Sequence, residues 1–230
     1  MKASLLFLLL VVSALSVKAA PNTSPELDDL MTLDELAYEV AKPPRTEMHP
    51  VISPESIAEH DGIDIYKEYA IVLHINKSAL GPGAQHMQVF EGGNQTYDWP
   101  ISTGREQYEK AKSGRWYWTV TPAGTFSPYK LERDHYSSTW DAHMEYAAFF
   151  IGGVAVHATT PDHYKQLGQR ASGGCVRLRK DNAQVIWEKI SAQPQALVPL
   201  FAANGRVARD LNGNPIRVMG WNTLIIVDGK

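Results

Sequence analysis

The sequence predicts a mainly β domain with few helices, and three observations lead to this prediction. Short runs with the composition of strands recur from residue 63 onward. Turns that contain glycine separate these runs, as Glu91-Gly92-Gly93-Asn94 does. Only one or two stretches show the spacing of apolar residues that is typical of a helix. Short strands joined by glycine turns favour a β-sandwich or a barrel.

The first 19 residues have the features of a secretory signal peptide. Lys2 gives a positive start, and residues 5–15 form an apolar stretch that only Ser13 interrupts. Small residues precede position 20, so we expect cleavage after Ala19. The apolar stretch is too short for a membrane span, which needs about 20 residues. We therefore expect an exported protein that resides in the periplasm or the cell wall.

Residues 20–62 are predicted to form a proline-rich extension that contains one amphipathic helix. Between residues 27 and 40 the apolar positions recur every three or four residues, and acidic residues fill the opposite face. Pro43-Pro44 ends this pattern. We expect the helix to dock on the main domain, which would span residues 63–230, with docking on a partner as the alternative.

Within the main domain, strands and one helix follow in order. The predicted strands are 69–75, 86–90, 95–101, 116–120, 147–156, 175–178 and 223–227. The helix is predicted from a cap at Asp181-Asn182 through Ile190. Trp116 and Trp118 share one face of their strand, and packing is favoured over sugar binding for them.

Composition excludes several classes of function. The net charge of -3 and the isoelectric point near 6.2 give no reason to expect a nucleic-acid partner. The histidines lack the spacing of metal ligands, so we expect no metal and no cofactor. The chain has a single cysteine, which excludes a disulfide within it.

That cysteine, Cys175, follows an apolar predicted strand that ends at His157. A solitary thiol with an upstream histidine in an exported protein predicts a nucleophile and its base. The imidazole and nearby backbone N–H groups are expected to lower the pKa of the thiol. The alternative is that Cys175 is a small core residue and that His157 is a strand-end histidine with a satisfied hydrogen bond.

The residues around Cys175 favour a site over that alternative. Ser172-Gly173-Gly174 allows the backbone to bend sharply, so that the N–H groups of Gly174 and Cys175 can point at a developing oxyanion. In an extended segment Arg177 shares a face with Cys175, where it can hold a substrate carboxylate.

These residues resemble the signature of the YkuD-type L,D-transpeptidases. That family has a histidine, a spacer of 14 to 17 residues, and then Ser/Thr-His-Gly-Cys followed by an apolar residue and Arg or Asn. Here His157 is followed by fourteen residues and then by Ser172-Gly173-Gly174-Cys175-Val176-Arg177. Supporting matches lie at 101–104, 121–126 and 151–157, and the resemblance covers roughly residues 65–190.

The resemblance implies a β-sandwich of mixed sheets and an enzyme that needs no cofactor. It would attack peptidoglycan stem tetrapeptides through a Cys175 thioester, forming 3–3 cross-links or exchanging the terminal D-Ala. His157 would be the general base and acid, the Ala158 carbonyl would orient it, and Gly174 would give an oxyanion donor. Carbapenems would acylate the same thiol. The residues implied in substrate binding are Arg177, Ser172, Gly173, Tyr136 and Met144, the last two within a stretch (129–146) that would cover the site.

Two positions depart from the family pattern. Gly173 stands where the family has a second histidine, so contacts of the substrate near the thiol are expected to differ. Ala158 stands where the family often has Gly or Ser, and any residue there offers a carbonyl.

Three other functions stay open from the sequence, as does the oligomeric state. The first is an L,D-carboxypeptidase or endopeptidase of the same fold. The second is a non-catalytic module that binds the cell wall. The third is a protein that dimerises through a Cys175 disulfide.

Overall fold

The structure is a computed structural model that describes residues 53–202 and 204–229. The predicted signal peptide and the predicted helix between residues 27 and 40 lie outside the described residues. None of the helices within the described ranges is both long and apolar enough to cross a membrane.

The described chain is built mainly from strands. Its helices are α1 (Pro54–Asp61), α2 (Ile65–Glu68), a 3-10 helix (Pro161–Gln166) and α3 (Lys180–Ala192). Its strands are β1 (Ile71–Asn76), β2 (His86–Glu91), β3 (Asn94–Pro100), β4 (Tyr108–Lys110), β5 (Trp116–Trp118), β6 (Gly124–Phe126), β7 (Lys130–Ser137), β8 (Ala142–Ile151), β9 (Val154–Ala158), β10 (Val176–Leu178), β11 (Gln195–Pro199), β12 (Arg217–Trp221) and β13 (Thr223–Asp228).

Two mixed sheets carry the fold. The five-stranded sheet has the order β3-β2-β1-β13-β6, in which only β1 and β13 run parallel. The four-stranded sheet has the order β10-β9-β8-β7, in which β10 and β9 run parallel and the other pairs are antiparallel. Two small ribbons, β4–β5 and β11–β12, complete the described strands. The predicted mainly β fold of mixed sheets is confirmed.

The main core lies between the two sheets and α3. Leu73 and Ile75 of β1 meet Val156 of β9 and Leu178 of β10 there, and Ile186 of α3 joins them. These side chains are at most 1% exposed. Burial of apolar side chains is the main source of stability in such a domain. The strands that carry the candidate site are therefore fixed from behind by the core.

The other face of the five-stranded sheet is also covered. Val72 and Ile226 pack there with Ile57 of α1 and with Ile65. Ser53 caps α1 by accepting a hydrogen bond from the Ser56 N–H at 3.2 Å. Because this sheet is buried on both faces, β1 and β13 are nearly continuous apolar runs.

The structure differs from the prediction at two elements and at one predicted packing face. The predicted strand 147–156 is two antiparallel strands, β8 and β9, because the chain turns at Gly152-Gly153. Helix α3 begins after Arg179, without a side-chain cap, and not after a cap at Asp181-Asn182. Trp116 was expected to pack, yet it is 52% exposed on the solvent side of the β4–β5 ribbon.

Candidate active site

The parallel pair β9 and β10 brings the predicted nucleophile, base and arginine to one face. Arg177 of β10 lies directly beside His157 of β9 in the register of the two strands. Cys175 immediately precedes β10, two residues before Arg177, so it shares that face. The opposite face of the same strands, with Val176 and Val156, points into the main core. Alternation along a strand thus separates the candidate site from the core.

The Cys175 thiol lies against a small apolar cluster that belongs to the site face. This cluster consists of Met144, Ala147, Phe149 and Ala155, all at most 5% exposed. The Ala155 N–H donates to Sγ at 3.4 Å, and the thiol donates to the Gly153 carbonyl at 3.7 Å. Among the hydrogen bonds of the described residues, none joins Sγ to the His157 ring.

The predicted lowering of the thiol pKa is wrong for this structure. Burial raises the pKa of Cys175 above its ordinary value. The Ala155 N–H and the positive charge of Arg177 act in the opposite direction without reversing the effect of burial. The thiol is therefore neutral in the resting site at neutral pH.

His157 is 6% exposed and is held by the residue that follows it. Its Nδ1 lies 2.6 Å from the Ala158 carbonyl oxygen, which can only accept, so Nδ1 carries the proton and Nε2 is free to accept one. Burial, and next the charge of Arg177, lower the pKa of His157 to about 3. The imidazole is neutral at physiological pH and can act as a base.

The loop from Ser172 to Cys175 is fixed by hydrogen bonds to its own backbone. Ser172 Oγ accepts from the Gly174 N–H at 3.0 Å and donates to the Cys175 carbonyl at 2.6 Å. Thr121 Oγ1 donates to the Gly174 carbonyl at 2.6 Å. The Gly174 N–H, expected to point at an oxyanion, is thus engaged by Ser172 in the resting structure. Gly174 also has a φ of +139°, which a residue with a side chain rarely adopts.

Two arginines converge beside this loop. Arg177 Nη1 donates to the Ala171 carbonyl over a long 3.5 Å, and Arg105 Nη1 donates to the same oxygen at 2.5 Å. Arg105 is also paired with Glu109, whereas the carbonyl of Ala171 is the hydrogen-bond acceptor of the Arg177 guanidinium within the described residues. Partial burial lowers the pKa of Arg177. Arg177 therefore has donors left for a carboxylate.

Only one of the two substrate-binding residues implied in the 129–146 stretch reaches the thiol. Met144 is 5% exposed and belongs to the cluster beneath Cys175. Tyr136 is 51% exposed, and its neighbour His135 packs on Phe149 of that cluster with 5.0 Å between ring centroids. Because adjacent strand residues point to opposite faces, Tyr136 faces away from the thiol. Its hydroxyl instead donates to Asp141.

The structure adds residues that were not singled out from the sequence. Thr121 holds Gly174, Arg105 shares the Ala171 carbonyl with Arg177, and Trp140 lies against Gly173. Period-two alternation from Met144 is a signal that would have favoured His135 over Tyr136. Thr121 and Arg105 lie far from Cys175 in the sequence, and no local pattern indicates their contacts. Within the described ranges, no group of three or more His, Cys, Asp and Glu side chains is arranged to hold a metal ion.

The chain was compared with protein families and with curated proteins. Residues 68–218 match the YkuD family, described as the L,D-transpeptidase catalytic domain. The search of curated proteins found no match.

Three solved structures illustrate the similarity of the fold. An L,D-transpeptidase from Xylanimonas cellulosilytica has 22% identity and a TM-score of 0.47, over 77% of this chain and 71% of that one. One from Mycobacterium smegmatis has 17% identity and a TM-score of 0.45, over 70% and 59%. One from Mycobacterium tuberculosis H37Rv has 17% identity and a TM-score of 0.44, over 70% and 58%. The chain thus spans less than two thirds of the mycobacterial proteins.

Proposed function

Because the chain belongs to the YkuD family of L,D-transpeptidase catalytic domains, we propose that it is a peptidoglycan L,D-transpeptidase that acts through a Cys175 thioester. Its donor would be a stem tetrapeptide that ends in D-Ala. Its acceptor would be the amine of a second stem, giving a 3–3 cross-link, or a free D-amino acid. We place this reaction outside the cytoplasm, in the periplasm or the cell wall.

One observation supports this proposal most strongly. A neutral His157 with its Nδ1 proton committed to Ala158 lies on the same sheet face as the only thiol of the chain. This arrangement leaves Nε2 as the acceptor for the thiol proton. A core cysteine with a merely satisfied histidine would not require the guanidinium of Arg177 beside both residues.

Acylation begins from two neutral groups. Sγ turns from the Gly153 carbonyl, to which its hydrogen bond is long, and its proton passes to Nε2 of His157 as Sγ attacks the donor carbonyl. The oxyanion is stabilised by the Cys175 N–H, together with the Gly174 N–H once Ser172 releases it. The imidazolium returns the proton to the leaving amine, D-Ala departs, and a thioester remains.

Deacylation repeats these steps with the acceptor. His157 takes a proton from the incoming amine, which attacks the thioester, and Sγ leaves and is reprotonated. Water in place of the amine would make the same site a carboxypeptidase. Arg177 would hold the terminal carboxylate of the donor through two parallel hydrogen bonds.

Mass spectrometry of muropeptides tests the proposal. The purified protein is incubated with disaccharide tetrapeptides, with and without a free D-amino acid, beside a Cys175→Ala control. We expect 3–3 dimers or exchanged tetrapeptides from the unmodified protein and neither from the control. Tripeptides alone would identify the hydrolytic alternative, and no turnover of any kind would reject the enzyme.

A further inference from the structure

The two glycines before Cys175 are required for different physical reasons. Gly174 has a positive φ, which requires glycine for its backbone conformation. Gly173 has no such φ. A Cβ built on Gly173 would instead lie 2.7 Å from Cε2 and 2.8 Å from Cζ2 of Trp140. Real side chains do not approach that closely, so the Trp140 ring occupies the space in which any side chain at position 173 would begin.

Trp140 is held in that position by its surroundings. It lies in the turn between β7 and β8, and its ring packs on Tyr117 of β5 with 5.9 Å between centroids. The same turn is tied to the β4–β5 turn, because the Ser113 N–H donates to the Thr139 carbonyl at 3.1 Å. Lys112 adds an ion pair with Asp141 at 3.4 Å.

We propose that Trp140 is a positioning residue that presses on Gly173 and so holds the Ser172–Cys175 loop in the geometry needed for acyl transfer. Ser172 and Thr121 hold the loop through hydrogen bonds to Gly174 and Cys175. Trp140 limits its movement at Gly173, where no hydrogen bond of Ser172 or Thr121 acts. The inference rests on the proposed function, because the geometry matters only if the backbone N–H groups of this loop stabilise an oxyanion.

The proposal separates two reactions of the same thiol. Acylation by a β-lactam forms a tetrahedral oxyanion, so its rate depends on the direction of the backbone donors. Alkylation by iodoacetamide is a displacement at carbon that forms no oxyanion, so it reports only on the accessibility and ionisation of Sγ. A small displacement of a catalytic loop can cost about 100-fold in rate.

The test measures both rates for variants of the full chain, Trp140→Ala, Trp140→Phe and Gly173→Ala. We expect the saturating rate of carbapenem acylation to fall about tenfold or more in Trp140→Ala and in Gly173→Ala. Alkylation should change less than about threefold. Trp140→Phe keeps a flat ring over Gly173 and should recover most of the rate. Trp116→Ala, a tryptophan that is 52% exposed on the β4–β5 ribbon, is the matched control and should leave both rates unchanged.

The double variant Trp140→Ala/Gly173→Ala gives the decisive comparison. Without the ring, the added methyl group meets no obstacle, so the double variant should be no slower than Trp140→Ala alone. Multiplicative losses would overturn the proposal, as would equal losses in acylation and alkylation. If the unmodified protein is alkylated but never acylated, the proposed function itself fails, which distinguishes the two outcomes.

Discussion

On the four-stranded sheet, successive residues of β9 and β10 alternate between a face that packs into the main core and a face that carries the candidate site. Val156 and Leu178 point into the core, whereas His157 and Arg177 point to the site. The core face is apolar and fully buried, and the site face holds a thiol, an imidazole and a guanidinium. Each functional side chain is thereby anchored by a core residue directly next to it in the chain.

This difference predicts that substitutions on the two faces have opposite consequences. Cys175→Ala should abolish peptidoglycan turnover with little loss of stability, because a methyl group fills most of the space of the thiol but cannot attack. Leu178→Ala, three residues on, should lower the free energy of unfolding by about 2–5 kcal/mol. Urea denaturation and muropeptide turnover of both variants check this. Retained turnover in Cys175→Ala would contradict the role of the thiol.

His157 links the two faces, since it is both functional and buried. Its pKa of about 3 lies below the ordinary value of about 6.5. The unfolded chain therefore binds this proton at a higher pH than the folded chain does, so the stability falls as the pH decreases from about 6.5 toward 3.

A variant without this histidine should resist acid better. Between about pH 7 and pH 4, His157→Gln should lose about 3 kcal/mol less of its free energy of unfolding than the unmodified protein. Urea denaturation at several pH values measures this, and His163→Gln, an exposed histidine on the 3-10 helix, is the control. Parallel pH profiles for His157→Gln and the unmodified protein would show that burial does not shift this imidazole.

Arg177 sharpens the comparison within the site face. Arg177→Lys keeps the charge but loses the paired donors, so tetrapeptide turnover should fall about tenfold or more, with a smaller loss in carbapenem acylation. Arg105→Lys is the matched control, because Arg105 contacts the same Ala171 carbonyl. If Arg177 only braces the loop, both substitutions should lower the melting temperature and slow both reactions equally.

The smallest expected effect concerns the ionisation of the thiol. Because burial raises the pKa of Cys175, its alkylation rate should still be rising above about pH 8.5, the ordinary value of a free cysteine. Arg177→Gln should move the midpoint higher, since the positive charge of Arg177 favours the thiolate. A midpoint below about pH 8 would show that the resting site holds a thiolate.

Local patterns were sufficient for the mainly β fold and for the central residues of the site. The strands near β1, β2 and β13 follow from composition and turns, and the motif around Cys175 identified His157 and Arg177. The division of 147–156 into two strands was missed because the apolar run continues across Gly152-Gly153.

Other features of the site depend on contacts between distant parts of the chain. The raised pKa of the thiol reflects burial, which an imidazole motif does not reveal. The Gly174 N–H is occupied by Ser172 through a loop geometry that spacing alone does not define. The contact of Trp140 with Gly173 joins residues 33 positions apart (173 − 140) and follows only from the fold.

Intact-mass spectrometry with a carbapenem tests the central claim, that Cys175 is an acylable nucleophile, most directly. The purified protein is incubated with meropenem or imipenem, digested and mapped, beside Cys175→Ala. We predict a single adduct, carried by the peptide that contains Cys175 and absent from the variant. No adduct, or an adduct that persists in Cys175→Ala, would contradict the account.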